Sequence, residues 1–131
     1  MQELRVITER QSQLIDISAQ VRDAVRGETG TAVLVYVPHT TAGVTINEDI
    51  DPELANDLEQ AMEKIVEDGW NWRHDDADGP NAPSHVRASL ISPEVLVPLR
   101  EGRLALGRYQ GIFFCEFDGP RDRKVYVTAL G

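Results

Sequence analysis

The chain has 131 residues, enough for one domain around one core. Its 22 acidic against 13 basic side chains give a net charge of -9, which argues against a protein that grips nucleic acid or an anionic membrane through lysine and arginine. A local basic pocket stays compatible with that balance, because net charge describes the whole molecule and a site is local.

Cys115 is the single cysteine and lies in an apolar run, so no internal disulfide forms and the residue reads as a small core side chain. The N-terminus lacks a basic segment followed by an apolar one, and no apolar run approaches the length needed to cross a bilayer. The expected location is the cytoplasm.

Taken in order, residues 3–8 and 13–17 read as short strands separated by polar Glu9 to Ser12. Ser18 is a candidate cap for a helix whose narrow apolar stripe is Val21, Ala24 and Val25, with Gly27 just past its end. Residues 31–37 form a continuous β-branched run, the pattern of a strand buried on both faces. After Pro38 and His39, Val44 and Ile46 alternate with Thr45 and Asn47 as in a half-buried strand.

Asp51 and Pro52 are a cap and first helical residue, and Leu54, Leu58, Ala61, Met62 and Ile65 make one apolar face of a long helix that Gly69 closes. Glu53, Glu59, Glu63 and Glu67 fall mostly off that stripe and need only solvent. Asn81 caps a short helical turn through Ser84, His85 and Val86. Residues 94–97, 103–106, 110–117 and 123–129 read as strands, the last two joined by the turn-rich Asp118-Gly-Pro-Arg-Asp122. The expected fold is α+β: a mainly antiparallel sheet or sandwich with two main helices, one domain over residues 1–131.

The stretch from Trp70 to His85 has neither a helical nor a strand period. It carries both tryptophans, His74, His85, Arg73, Asp75, Asp76, Asp78 and Asn81. A loop of this length in a small domain is usually functional or disordered, and two tryptophans favour an ordered loop whose aromatic surface is buried against something.

The three histidines, His39, His74 and His85, are candidate metal ligands or acid/base groups, with Asp75, Asp76, Asp78 or Glu116 as oxygen donors. Their spacing matches no short ligand motif, so three unrelated polar histidines is the competing reading. Glu48 and Asp49 follow a strand and are not explained by capping, whereas Asp51 is. Gln110 and Glu116 share a strand face with Ile112 and Phe114. Glu116 is therefore either paired, or raised in pKa as a general acid, or a strand-end residue reaching solvent. Arg121 at a loop tip is a candidate clamp for phosphate or carboxylate, and Thr40, Thr41 and Gly43 offer hydroxyls and open amides to an anion. No nucleotide-binding glycine motif and no nucleophile elbow is present.

Several of these residues form an ordered series: Pro38-His-Thr-Thr-Ala42, Asn47-Glu48 with Asp51-Pro52, His74, Asn81-Ala82 with His85, Gly107-x-x-Gln110-Gly-Ile, and Glu116-Phe-Asp-Gly-Pro-Arg121. In this order the chain resembles the YjbQ-like family, also named the secondary thiamine-phosphate synthase family, over nearly its whole length. One departure is visible. Many members carry a histidine where this chain has Pro83, from which we infer that this histidine is not essential.

The resemblance implies an α+β homotrimer with polar sites near subunit boundaries, where the matched His, Asn, Glu, Asp, Gln and Arg positions cluster. It also implies weak formation of thiamine phosphate from a hydroxymethylpyrimidine diphosphate and a thiazole phosphate. On that basis His39, Glu48, His74, His85 and Glu116 are the expected catalytic residues. Thr40, Thr41, Asn47, Asn81, Gln110, Asp118 and Arg121 are expected to bind a small phosphorylated metabolite. His39, His74 and His85 are the expected ligands of any divalent metal, zinc or magnesium. On this reading His74→Ala or Glu116→Gln removes activity and leaves the fold intact. The alternatives are a trimeric module that binds metal or metabolite without turnover, and a metal-assisted hydrolase.

Overall fold

A computed structural model describes residues 1–75 and 79–131. Asp76 and Asp78, proposed above as oxygen donors, lie outside the described residues. Eight strands and three helices follow in the order β1 (Gln2–Ile7), β2 (Gln13–Asp16), α1 (Ser18–Ala24), β3 (Ala32–Tyr36), β4 (Ala42–Glu48), α2 (Pro52–Ile65), α3 (Ala82–Ile91), β5 (Glu94–Arg100), β6 (Arg103–Leu104), β7 (Gln110–Glu116) and β8 (Asp122–Leu130). They make a five-stranded sheet, β1-β8-β3-β5-β6, and a three-stranded sheet, β2-β7-β4, antiparallel throughout. No helix among the described residues is long and apolar enough to cross a membrane.

Strand alternation sets the layers. Val33 and Val35 of β3, Val97 of β5 and Val125 and Val127 of β8 point from the large sheet onto Val44, Ile112 and Phe114 of the small one, and Ile17, Val21 and Val25 at α1 close that core. The other face of β7 carries Phe113, Cys115 and Phe117, which pack with Ala88 and Ile91 of α3 and Met62 of α2. The order is large sheet, small sheet, helices, with β7 central and buried from both sides. Cys115 is a core residue as expected, and burial pushes its thiol up to about 12, so it is inert.

The far face of the large sheet is covered by nothing among the described residues. Tyr36 stacks on Tyr126 there, and Leu96 is 59% exposed. The expectation that β3 is buried on both faces therefore holds for Val33 and Val35 only; Leu34 is half-buried and Tyr36 exposed.

Several ends differ from the sequence reading for identifiable reasons. Asp51 caps α2 through the Glu53 amide as expected. Ser18 does not cap α1: its hydroxyl accepts the Ile112 amide, while the Asp16 carboxylate takes the Ser18 N–H. α2 stops at Ile65, short of Gly69, because Val66 turns extended and its carbonyl accepts from buried Arg87. α3 is a full ten-residue helix, a third one, where a single turn was expected. β6 pairs over Arg103–Leu104 only. Glu59 is not a solvent residue: it is 6% exposed and accepts from Arg10 and from the Leu14 amide, tying α2 to β2. Ile65, on the predicted apolar face of α2, is 59% exposed instead.

Candidate functional site at the end of β7

Glu116, Phe117 and Asp118 leave the small sheet as a hub. The Phe117 amide donates to the Thr41 carbonyl, and the Phe117 carbonyl accepts the Ser84 hydroxyl at 2.6 Å. This brings the β3–β4 turn, the start of α3 and the β7–β8 turn together. Gly119 is required there: any Cβ would run into the Arg10 carbonyl, the Thr8 hydroxyl and Glu116 itself.

Alternation places Glu116 between the two sheets beside Ile112 and Phe114, and there it meets Arg123, the residue that precedes Val125 and Val127 on the inner face of β8. Glu116 is 0% exposed. It accepts from Arg123 through both oxygens, from Thr8 Oγ1 at 2.8 Å, and from the amides of Phe117 and Asp118. Burial alone would raise its pKa, but the Arg123 guanidinium, the Asp118 amide and the Thr8 hydroxyl together hold it below the usual carboxylate range. The general-acid reading of Glu116 is thus corrected to the paired one: every lone pair is engaged and no path to a ligand is open. Thr41 changes role for the same reason. It is 6% exposed and its hydroxyl accepts from Arg123 at 2.8 Å, so it belongs to the ion pair and not to a ligand.

His39 borders this network. Its Nε2 accepts the Lys124 amide at 2.9 Å, so the neutral ring carries its proton on Nδ1. Burial and Arg123 lower its pKa, against Glu116, which acts to raise it. A ring in this state offers a donor and has no lone pair left for a metal. Thr40, next in the chain, is exposed.

Asp118 accepts from Asn81 Nδ2 at 2.9 Å and from Arg121, whose Nε also donates to the Asp118 carbonyl. Asn81 therefore ties α3 to the β7–β8 turn and makes no side-chain cap, and its buried Oδ1 has no donor among the described residues. Arg121 is held by its own loop, with its side chain 38% exposed. A polar cleft of about 220 Å³ opens here between Gln11, Asp68, Asn81, Ser84 and Asp118.

His74 and His85 meet edge to face with ring centroids 5.0 Å apart, and with Trp72, Ala82 and Val86 they line a largely apolar hollow. Trp72 donates to the Glu67 carbonyl and stacks on Trp70, which is 54% exposed and not buried as expected. Two of the three histidines are thus together. His39 is instead bound to β8, and no group of three His, Cys, Asp or Glu side chains among the described residues is placed to hold a metal. Within one chain the described residues do not fit the three-histidine metal site.

The remaining expected residues are elsewhere. In the β4–β7 ladder Ala42 pairs with Glu116 and Glu48 pairs with Gln110. Six residues of strand separate these rungs, about 20 Å. Asn47 accepts the Glu48 amide, Gln110 accepts the Gly107 amide, and Glu48 is exposed. Asn47, Glu48 and Gln110 therefore form a second group at the opposite end of β7.

Sequence reasoning missed Arg123, Thr8 and Ser84. Arg123 carried a signal, since its even spacing from Val125 and Val127 puts it on the apolar face, where a cation demands a partner. Thr8 and Ser84 carried none.

Residues 2–131 match the family described as UPF0047 protein YjbQ-like. A UPF0047 protein of Archaeoglobus fulgidus is 45% identical over 98% of this chain and 99% of its own. UPF0047 protein YugU of Bacillus subtilis is 38% identical over 98% and 97%. Among solved structures, hypothetical protein APE1520 of Aeropyrum pernix superposes with a TM-score of 0.91 at 36% identity, covering 99% of this chain and 97% of that one. A yjbq/upf0047 family protein of Clostridium acetobutylicum superposes at 0.90 with 38% identity, covering 98% of both chains. The chain belongs to the YjbQ-like UPF0047 family.

Proposed function

We propose that the protein is a cytoplasmic homotrimeric enzyme acting on a small phosphorylated metabolite, with activity like that of a secondary thiamine-phosphate synthase. The observation that carries this reading is His39: a neutral imidazole, fixed by the Lys124 amide and presenting Nδ1–H as a preorganised donor. In the joining reaction a ring nitrogen of the thiazole phosphate attacks the methylene carbon of the pyrimidine. The C–O bond to the diphosphate breaks, and pyrophosphate leaves with the electron pair. Nδ1–H of His39, the Thr40 hydroxyl and the exposed part of Arg121 are suited to the oxygens on which that charge collects. His74 and His85 with Trp72 offer an apolar hollow for a flat ring. No step of this scheme passes through a metal.

Two uncovered apolar surfaces support assembly: the outer face of the large sheet, with Leu96 and Tyr36, and the helical side, with Ile65, Trp70 and Leu90. A cyclic trimer joins two different patches of the same chain, and such a contact can bring one subunit's Gln110 and Glu48 to another's His39.

The test incubates both precursors with wild type and with His39→Ala and measures thiamine phosphate by chromatography. Product in the wild type that falls about 100-fold in the variant agrees with the reading; equal turnover in both overturns the role of His39. Saturable, stabilising binding of either precursor with no product converts the reading to a binding module.

A further inference from the structure

Arg22, Arg26, Arg100 and Arg103 gather at one corner of a chain whose net charge is -9. Arg22, Arg26 and Arg103 line an open cleft of about 550 Å³ between the end of α1 and the β5–β6 turn, floored by Val25 and Leu104. That volume falls in the range of small-ligand sites. Arg100 and Arg103 are directly opposite in the two-stranded ladder, a like-charge pairing that costs stability when nothing anionic accompanies it.

Among the described residues, one of the four charges is paired. Arg26 is paired with Asp23 at 2.7 Å. Arg22, Arg100 and Arg103 make no side-chain hydrogen bond or ion pair among the described residues, and neither Glu28 nor Glu101, the acids in the two flanking turns, is bonded to any of the four. The C-terminus of α1 offsets only about half a charge.

The backbone is open at the same place. Gly27 and Gly102 line the cleft with positive φ, 79° and 76°, and a Cβ on either would meet nothing within 4 Å. Guanidinium forks match phosphoryl oxygens in geometry and keep their charge at any working pH.

We propose that this cleft binds a small diphosphate-bearing molecule, at a site that shares no residue with the network at the end of β7. The proposal does not rest on the synthase reading, because it is tested by binding and not by turnover.

Full-length protein is titrated with inorganic pyrophosphate by calorimetry at low and at physiological ionic strength, and the amide resonances of Gly27 and Gly102 are followed by NMR. The expected result is one saturable site per chain, shifts at both glycines, and affinity at least about tenfold weaker in Arg22→Ala/Arg103→Ala. Arg5→Ala is the control, since Arg5 is paired with Asp122 on an exposed strand and should bind like wild type. The proposal is overturned if wild type shows no saturable binding, if the double variant or the control behaves contrary to this, or if the shifts fall elsewhere than at the two glycines. The glycine shifts are read on wild type, so the test stands even if the double variant folds poorly.

Discussion

At the C-terminal end of β7 Glu116 is wholly buried and receives five hydrogen bonds, two of them from Arg123 on β8 and one from Thr8 just past β1. At the N-terminal end Gln110 is exposed and reaches only the Gly107 amide three residues back. Both residues belong to the family series, and both face the same side of one strand. The difference teaches that membership in such a series does not separate residues that hold the fold from residues that meet a ligand; burial and partners do. Glu116 joins the two sheets where the core ends, whereas removing Gln110 leaves no buried group without a partner.

The sharpest way to test that contrast is Glu116→Gln. An amide keeps the shape but replaces one acceptor with a donor pair, in a site where five donor contacts converge, and leaves the Arg123 guanidinium buried without its counter-charge. The expected loss is about 3–5 kcal/mol in denaturant unfolding, so the variant does not leave the fold intact as the sequence alone suggested. Replacing both partners, Glu116→Leu with Arg123→Met, should recover much of it. The pH dependence follows from the lowered carboxylate pKa. The ion pair's contribution is present above the unfolded-state value and is lost as pH falls through the folded one, so the acid limb of the wild-type stability curve should flatten in the double variant. A fully stable Glu116→Gln would overturn the structural role.

Next in size is Ser84→Ala. The Phe117 carbonyl would lose a buried donor that nothing else on α3 replaces, at a cost of about 1–3 kcal/mol and with loosening of α3 seen as faster amide exchange. A smaller effect is expected at His39, on the border of the same network. Its folded pKa is lowered, so the folded state prefers the neutral ring. Stability from this group is complete above the ordinary value of about 6.5 and declines as pH falls from there toward the folded pKa, with no further change below it. His39→Asn should remove that slope from the melting temperature below neutral pH. A slope that persists unchanged assigns it to other groups.

The strands and α2 were legible because period and capping act within a few residues: the alternation of β7 and β8 and the Asp51-Pro52 start of α2 are local facts. α3 was not, since Pro83 opens it and its buried side includes Ser84 and Arg87, which mask an apolar stripe. The proximity of His74 to His85 depends on the path of the loop between them, and no spacing rule encodes that path. The partner that holds His39 within the chain is a backbone amide of β8, which carries no sequence signature either. The outer face of β3 reads as buried because a continuous β-branched run does not distinguish a covered face from an open one.

The smallest expected effect bears on the other end of β7. In Gln110→Ala the Gly107 amide loses its side-chain acceptor at an exposed turn, where water takes over, and the loss of stability should stay below about 0.5 kcal/mol. The variant is informative because so little structure depends on it. If Gln110 meets substrate in an assembled trimer, KM for the phosphorylated precursor rises while the melting curve stays in place, and a mixture with His39→Ala subunits regains sites that neither variant forms alone. If KM and melting both stay unchanged, the Gln110 end of β7 has no part in the site. A destabilisation as large as that of Glu116→Gln would erase the distinction between the two ends of the strand, and with it the reason for assigning them different work.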